Sequence, residues 1–238
     1  MLNLRSINEL TLSVECDGQG VLFAKKGAMI GFYGDVKFDK VVLGPEGGFQ
    51  GFMGQMARRI TGENIPLMRA LSNGPSEVYY ACQAQHVTVV ALNPGETLYV
   101  ESEDLLAFTD SCKYELAFLG CGVISQKGFC TTKLTGNGPD AQVAVLSNGN
   151  PIVMDTPCKV DPDAMVAFTG PEPQLKTDIS WKTFLGQSSG ESYMFDYTVP
   201  GGKVIVQPYE RNSGVDVRVD SGRRAYVQSG PTIGNFRY

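Results

Sequence analysis

The chain is 238 residues long, with 28 glycines, 13 prolines and a formal net charge of −5 from 20 basic and 25 acidic side chains. Its charge is thinly spread: residues 1–78 hold eight basic and eight acidic residues, residues 79–146 three and seven, and residues 147–238 nine and ten. Without a basic arm or stripe to displace counterions from phosphates, nucleic acid is not expected as a ligand, and one histidine beside six cysteines with no CxxC pair speaks against structural zinc.

In chain order, strand signals dominate. Thr11-Leu12-Ser13-Val14-Glu15-Cys16 alternates with the period of two that marks a half-buried strand. Gly27-Ala28-Met29-Ile30-Gly31-Phe32 comes next. From Phe49 to Ile60 the rhythm changes: Phe49, Phe52, Met53, Met56 and Ile60 stand three and four apart, which predicts a short helix. Arg58 and Arg59 lie where the helix C-terminus favours cations. The more continuously apolar Gln85-His86-Val87-Thr88-Val89-Val90-Ala91-Leu92 predicts a central strand buried on both faces. Asn93-Pro94-Gly95-Glu96 is turn punctuation before the alternating Thr97-Leu98-Tyr99-Val100. Val215-Asp216-Val217-Arg218-Val219-Asp220 alternates again near the C-terminus. The first residues lack the basic-then-apolar order of a secretory signal and no stretch reaches the length of a membrane span, so the chain reads as cytosolic.

The hexapeptide ending in Phe32 returns as Glu103-Asp104-Leu105-Leu106-Ala107-Phe108 and as Asp163-Ala164-Met165-Val166-Ala167-Phe168. A glycine turn lies downstream of each copy, at Ile60-Thr61-Gly62-Glu63, Leu134-Thr135-Gly136-Asn137 and Val199-Pro200-Gly201-Gly202. A β-branched or aromatic run then follows: Val78-Tyr79-Tyr80, Val143-Ala144-Val145-Leu146 and Val204-Ile205-Val206. The hexapeptides are offset by 76 and 60 residues and the turns by 74 and 65. Such uneven spacing predicts three related β modules with insertions, not a solenoid of equal rungs.

No catalytic constellation emerges. His86 stands alone in a strand-like run, where a structural imidazole is the common case. No serine sits in a Gly-x-Ser-x-Gly elbow, and Gly44-Pro45-Glu46-Gly47-Gly48 and Gly186-Gln187-Ser188-Ser189-Gly190 lack the Walker lysine. Glu101, Glu103 and Asp104 cluster, as do Asp161 and Asp163, but they occupy equivalent places in two copies, which acidic turns explain.

Asn93-Pro94-Gly95-Glu96-Thr97-Leu98-Tyr99-Val100, the Asp104-Leu105-Leu106-Ala107-Phe108 after it, Gly128-Phe129 through Leu134-Thr135-Gly136-Asn137-Gly138, and Gly202-Lys203-Val204-Ile205-Val206-Gln207-Pro208 together resemble the bacterial relatives of altered-inheritance-of-mitochondria protein 24. Gly27-Ala28-Met29 and Arg58-Arg59-Ile60-Thr61-Gly62-Glu63 resemble that family's first module. The resemblance covers nearly the whole chain. It implies an all-β fold similar to the tryptophan RNA-binding attenuator protein and to double-stranded β-helix cores, with no agreed activity and no catalytic residues to carry over. Mitochondrial members are linked to inner-membrane organisation, a location not transferred to a chain that shows no transit peptide.

The expectation is therefore an all-β single domain, 1–238, of three pseudo-repeats at about 1–84, 85–147 and 148–238, forming a double-stranded β-helix-like or sandwich core with one short helical insertion. Its expected role is that of a non-catalytic cytosolic binding or scaffold protein that self-assembles and needs no cofactor or metal. Phe49, Phe52, Met53, Met56, Arg58 and Arg59 are the candidate surface for a protein or membrane partner. One alternative is a small-molecule binder or enzyme with Glu101, Asp104 or His86 lining a pocket between modules. The other is RNA binding by analogy of fold, which the acidic charge opposes.

Overall fold

The computed structural model describes residues 1–40, 67–119, 129–177 and 193–209, and within them the fold is all-β. After β1 (Leu2–Asn8) comes a first group of six strands: β2 (Thr11–Cys16), β3 (Gln19–Lys25), β4 (Met29–Tyr33), β5 (Val36–Lys40), β6 (Leu67–Asn73) and β7 (Ser76–Tyr80). The second group is β8 (His86–Ala91), β9 (Thr97–Glu101), β10 (Leu105–Thr109), β11 (Cys112–Leu119), β12 (Phe129–Gly136) and β13 (Gln142–Ser147). The third is β14 (Ile152–Asp155), β15 (Cys158–Val160), β16 (Met165–Thr169), β17 (Gln174–Thr177), β18 (Tyr193–Tyr197) and β19 (Lys203–Val206).

These strands form four sheets in the orders β1-β2-β7-β4, β5-β6-β3-β10-β13-β8, β11-β12-β9-β16-β19-β14 and β15-β18-β17. The groups are stitched to one another. β3 of the first group pairs antiparallel with β10 of the second, and β9 of the second pairs antiparallel with β16 of the third.

Each hexapeptide becomes a strand with a bulge at the same place. The register shifts between Met29 and Gly31 where β4 meets β7, between Leu105 and Ala107 where β10 meets β13, and between Met165 and Ala167 where β16 meets β19. One residue of each strand, Ile30, Leu106 or Val166, is thus inserted opposite the partner. A bulge sharpens local twist and bends its strand. β4 then ends at Gly34, whose φ of +89° suits glycine, and a Cβ there would lie 2.4 Å from the Pro75 carbonyl oxygen.

Three apolar clusters make the core. One gathers Leu12, Leu22, Tyr80, Leu106 and Leu146, and another gathers Met165, Phe168, Phe195 and Tyr197. The cluster between them draws Leu67 from the first group, Val100 and Val145 from the second, and Val166 and Ile205 from the third.

The alternating segments 11–16 and 97–100 are strands, as their period of two predicts. The segment 85–92 is not central. β8 pairs only with β13 among the described residues and is mostly half-buried, whereas β13 carries the buried run from Val143 to Ser147. A run of β-branched residues reports strand propensity without saying how many neighbours the strand will have. In the first group the turn before β7 is Asn73-Gly74-Pro75, close to the strand it precedes. The expected turn at 60–63, the helix at 49–60 and the strand at 215–220 lie outside the described residues.

Candidate functional site

The three hexapeptide strands differ in what lies beside them. β10 has β13 on one edge and β3 on the other, β16 has β19 and β9, and β4 has β7 alone among the described residues. Burial follows the pairing. Every residue of β10 is buried, as are the first four of β16. In β4 the corresponding apolar side chains face solvent: Ile30 is 60% exposed, Phe32 44% and Tyr33 69%.

Neighbouring aromatic rings hold this surface in place. Phe32 meets the edge of Phe38 on β5 at 5.2 Å between ring centroids, and Tyr33 meets Tyr79 on β7 at 6.2 Å. Beside them, the Ser13 hydroxyl donates to Glu77 Oε1 at 2.6 Å. That bond, seconded by the Tyr79 hydroxyl, holds the Glu77 carboxyl below its ordinary value of 4.5. The site is thus a bare strand edge with an aromatic surface and one fixed negative charge at its rim. Unpaired strand edges of this kind recruit another strand.

A second bare edge belongs to β15, which pairs with β18 alone among the described residues. Its central residue, Lys159, is exposed. The peptide bond between Thr156 and Pro157, just before it, is cis.

The acidic positions singled out from sequence fall at turns. Ser102–Asp104 and Pro162–Ala164 are single turns of 3-10 helix leading into β10 and β16, and the Asp161 carboxylate caps the second by accepting from the Asp163 N–H at 2.9 Å. Glu101 closes β9 and Asp104 is buried. His86 opens β8, with β13 running between it and β10, and its Nδ1 is buried without a hydrogen-bond partner among the described residues. Among the described residues no group of three His, Cys, Asp or Glu side chains is placed to hold a metal ion, and no helix is long and apolar enough to cross a membrane. Phe49, Phe52, Met53, Met56, Arg58 and Arg59 lie outside the described residues.

Sequence reasoning missed the β4 surface because the hexapeptide carries the same apolar pattern in all three copies. The one available signal was its different successor: Tyr33-Gly34 follows Phe32, where Thr109 and Thr169 follow the other two phenylalanines.

No curated protein matches the chain. A crystal structure of protein SPYM3_0169 from Streptococcus pyogenes shares the fold, with a TM-score of 0.62 over 88% of this chain and 94% of that one, at 15% identity. The model of the family described as Mitochondrial biogenesis AIM24 matches residues 5–209, which takes in all nineteen described strands except the first residues of β1. A match over that span shows that the chain belongs to this family.

Proposed function

We propose that this protein is a non-catalytic, cytosolic binding or scaffold protein that works as an assembly of copies of itself. The observation that carries this is the contrast among the hexapeptide strands: two are buried between neighbours, while β4 leaves Ile30, Phe32 and Tyr33 exposed along an edge that is unpaired among the described residues. Exposed apolar side chains beside unsatisfied backbone groups favour covering by another strand. We also read the chain as one of the family's bacterial branch, on the motifs of residues 93–108 and 202–208, and its three strand groups as modules related to the attenuator-protein fold.

Light scattering of the purified full chain tests the reading. The expected mass is a defined multiple of the 25.7 kDa of one chain. A single-chain mass held at tens of micromolar, on the order of the concentrations at which weak interfaces assemble, overturns it.

A further inference from the structure

We propose that the chain assembles head to tail, the β4 edge of one copy pairing antiparallel with the β15 edge of the next. This rests on the self-assembly proposed above and names the strands that meet.

The two joints inside the chain supply the geometry. At the first, Ala107, Phe108 and Thr109 of β10 lie opposite Ala24, Phe23 and Leu22 of β3. At the second, Ala167, Phe168 and Thr169 of β16 lie opposite Val100, Tyr99 and Leu98 of β9. In both, the residue before the hexapeptide's phenylalanine faces a residue of the preceding group that lies seven positions before that group's own equivalent, Ala24 before Gly31 and Val100 before Ala107, so the register is the same. Both joints also stack one ring on another, Phe23 on Phe108 at 5.2 Å and Tyr99 on Phe168 at 4.7 Å.

One donor and one acceptor of this pattern are left over. β15 stands in the third group where β3 and β9 stand in theirs, and among the described residues it pairs with β18 alone. β4 stands where β10 and β16 stand, and among the described residues it pairs with β7 alone. Transferring the register places Gly31 opposite Val160 of the next copy, Phe32 opposite Lys159 and Tyr33 opposite Cys158. The ring-on-ring contact of the internal joints becomes Phe32 beneath the stem and ammonium of Lys159, a pairing that suits a cation over an aromatic face.

Charge agrees with this register. At the first internal joint Lys25 Nζ donates to the Glu103 carbonyl oxygen at 2.6 Å, so the end of one strand touches the turn before its partner. The corresponding place between copies brings Asp161 to the Lys26-Gly27 turn, with Asp163 nearby. An acidic turn thus meets a basic one. Pairing of β4 with β4 would instead bring two basic turns onto one interface. A head-to-tail contact closes into a ring or extends as a filament, according to the rotation between copies.

Mass by light scattering and circular dichroism of three proteins, together with cross-linking of the wild type, tests the proposal. Phe32→Lys, which sets like charges opposite each other, is expected to reduce the assembly to the 25.7 kDa chain while keeping the wild-type spectrum. Phe32→Lys with Lys159→Glu is expected to restore the wild-type mass. Should Phe32→Lys not fold, zero-length carbodiimide coupling of a mixture of isotopically heavy and light wild-type chains reads the same contact. The expected product is a mixed-isotope peptide linking Lys26 to Asp161 or Asp163. An assembled wild type whose mass Phe32→Lys leaves unchanged, whose dissociation Lys159→Glu fails to reverse, or that gives no such mixed peptide overturns the head-to-tail joint and leaves self-assembly standing. A wild type that is a single chain overturns both.

Discussion

Tyr80 and Tyr197 each bury a phenol whose hydroxyl has no hydrogen-bond partner among the described residues. Burial pushes both groups well above the ordinary value of 10. A buried hydroxyl left unpaired costs about 1–3 kcal/mol, so Tyr80→Phe is expected to be neutral or to stabilise the fold by about 1 kcal/mol in urea unfolding. The same change has a signature in alkali. The folded phenol stays neutral while the unfolded one ionises, so stability is complete below pH 10 and falls as pH rises beyond it. Tyr80→Phe is expected to flatten that decline, and an alkaline limb identical to wild type would count against the assignment. None of this was legible in the sequence. Val78-Tyr79-Tyr80 reads only as an aromatic strand, and which tyrosine turns inward depends on how β7 sits between β2 and β4.

At the scale of the strand, sequence patterns located elements better than they located neighbours. The period of two gave β2 and β9, and the repeated hexapeptide gave β4, β10 and β16. What the pattern could not carry is the strand alongside, which comes from distant sequence: β10 owes its second edge to β3, and β4 lacks the corresponding partner among the described residues. The same cause misplaced 85–92 as a central strand. Mutation makes the difference measurable. Phe168 is fully buried, stacked on Tyr99 and edge-on to Tyr197, so Phe168→Ala is expected to cost about 3–5 kcal/mol. Phe32→Ala, at the matching position of a strand open on one side, is expected to cost under about 1 kcal/mol of the isolated chain's stability. Equal losses in denaturant titrations of the two variants would mean that β4 is covered within its own chain.

For the molecule as a whole, the middle core cluster matters most, because it takes side chains from all three strand groups. Two of the four sheets mix strands of neighbouring groups, joined at β3–β10 and β9–β16. Equilibrium unfolding is therefore expected as one transition, coincident by far-UV circular dichroism and tyrosine fluorescence. Two separated transitions would show that the groups are independent folding units.

The stitching of β3 to β10 and β9 to β16 has a consequence for biosynthesis. Translation delivers each strand group before the one that covers it, so the newest edge of the nascent chain stays bare until the ribosome has made the next hexapeptide. β3 waits for β10, and β9 waits for β16. When β15 emerges, its second edge finds no partner among the described residues, and under the head-to-tail joint proposed above the strand that covers it is β4 of a neighbouring chain.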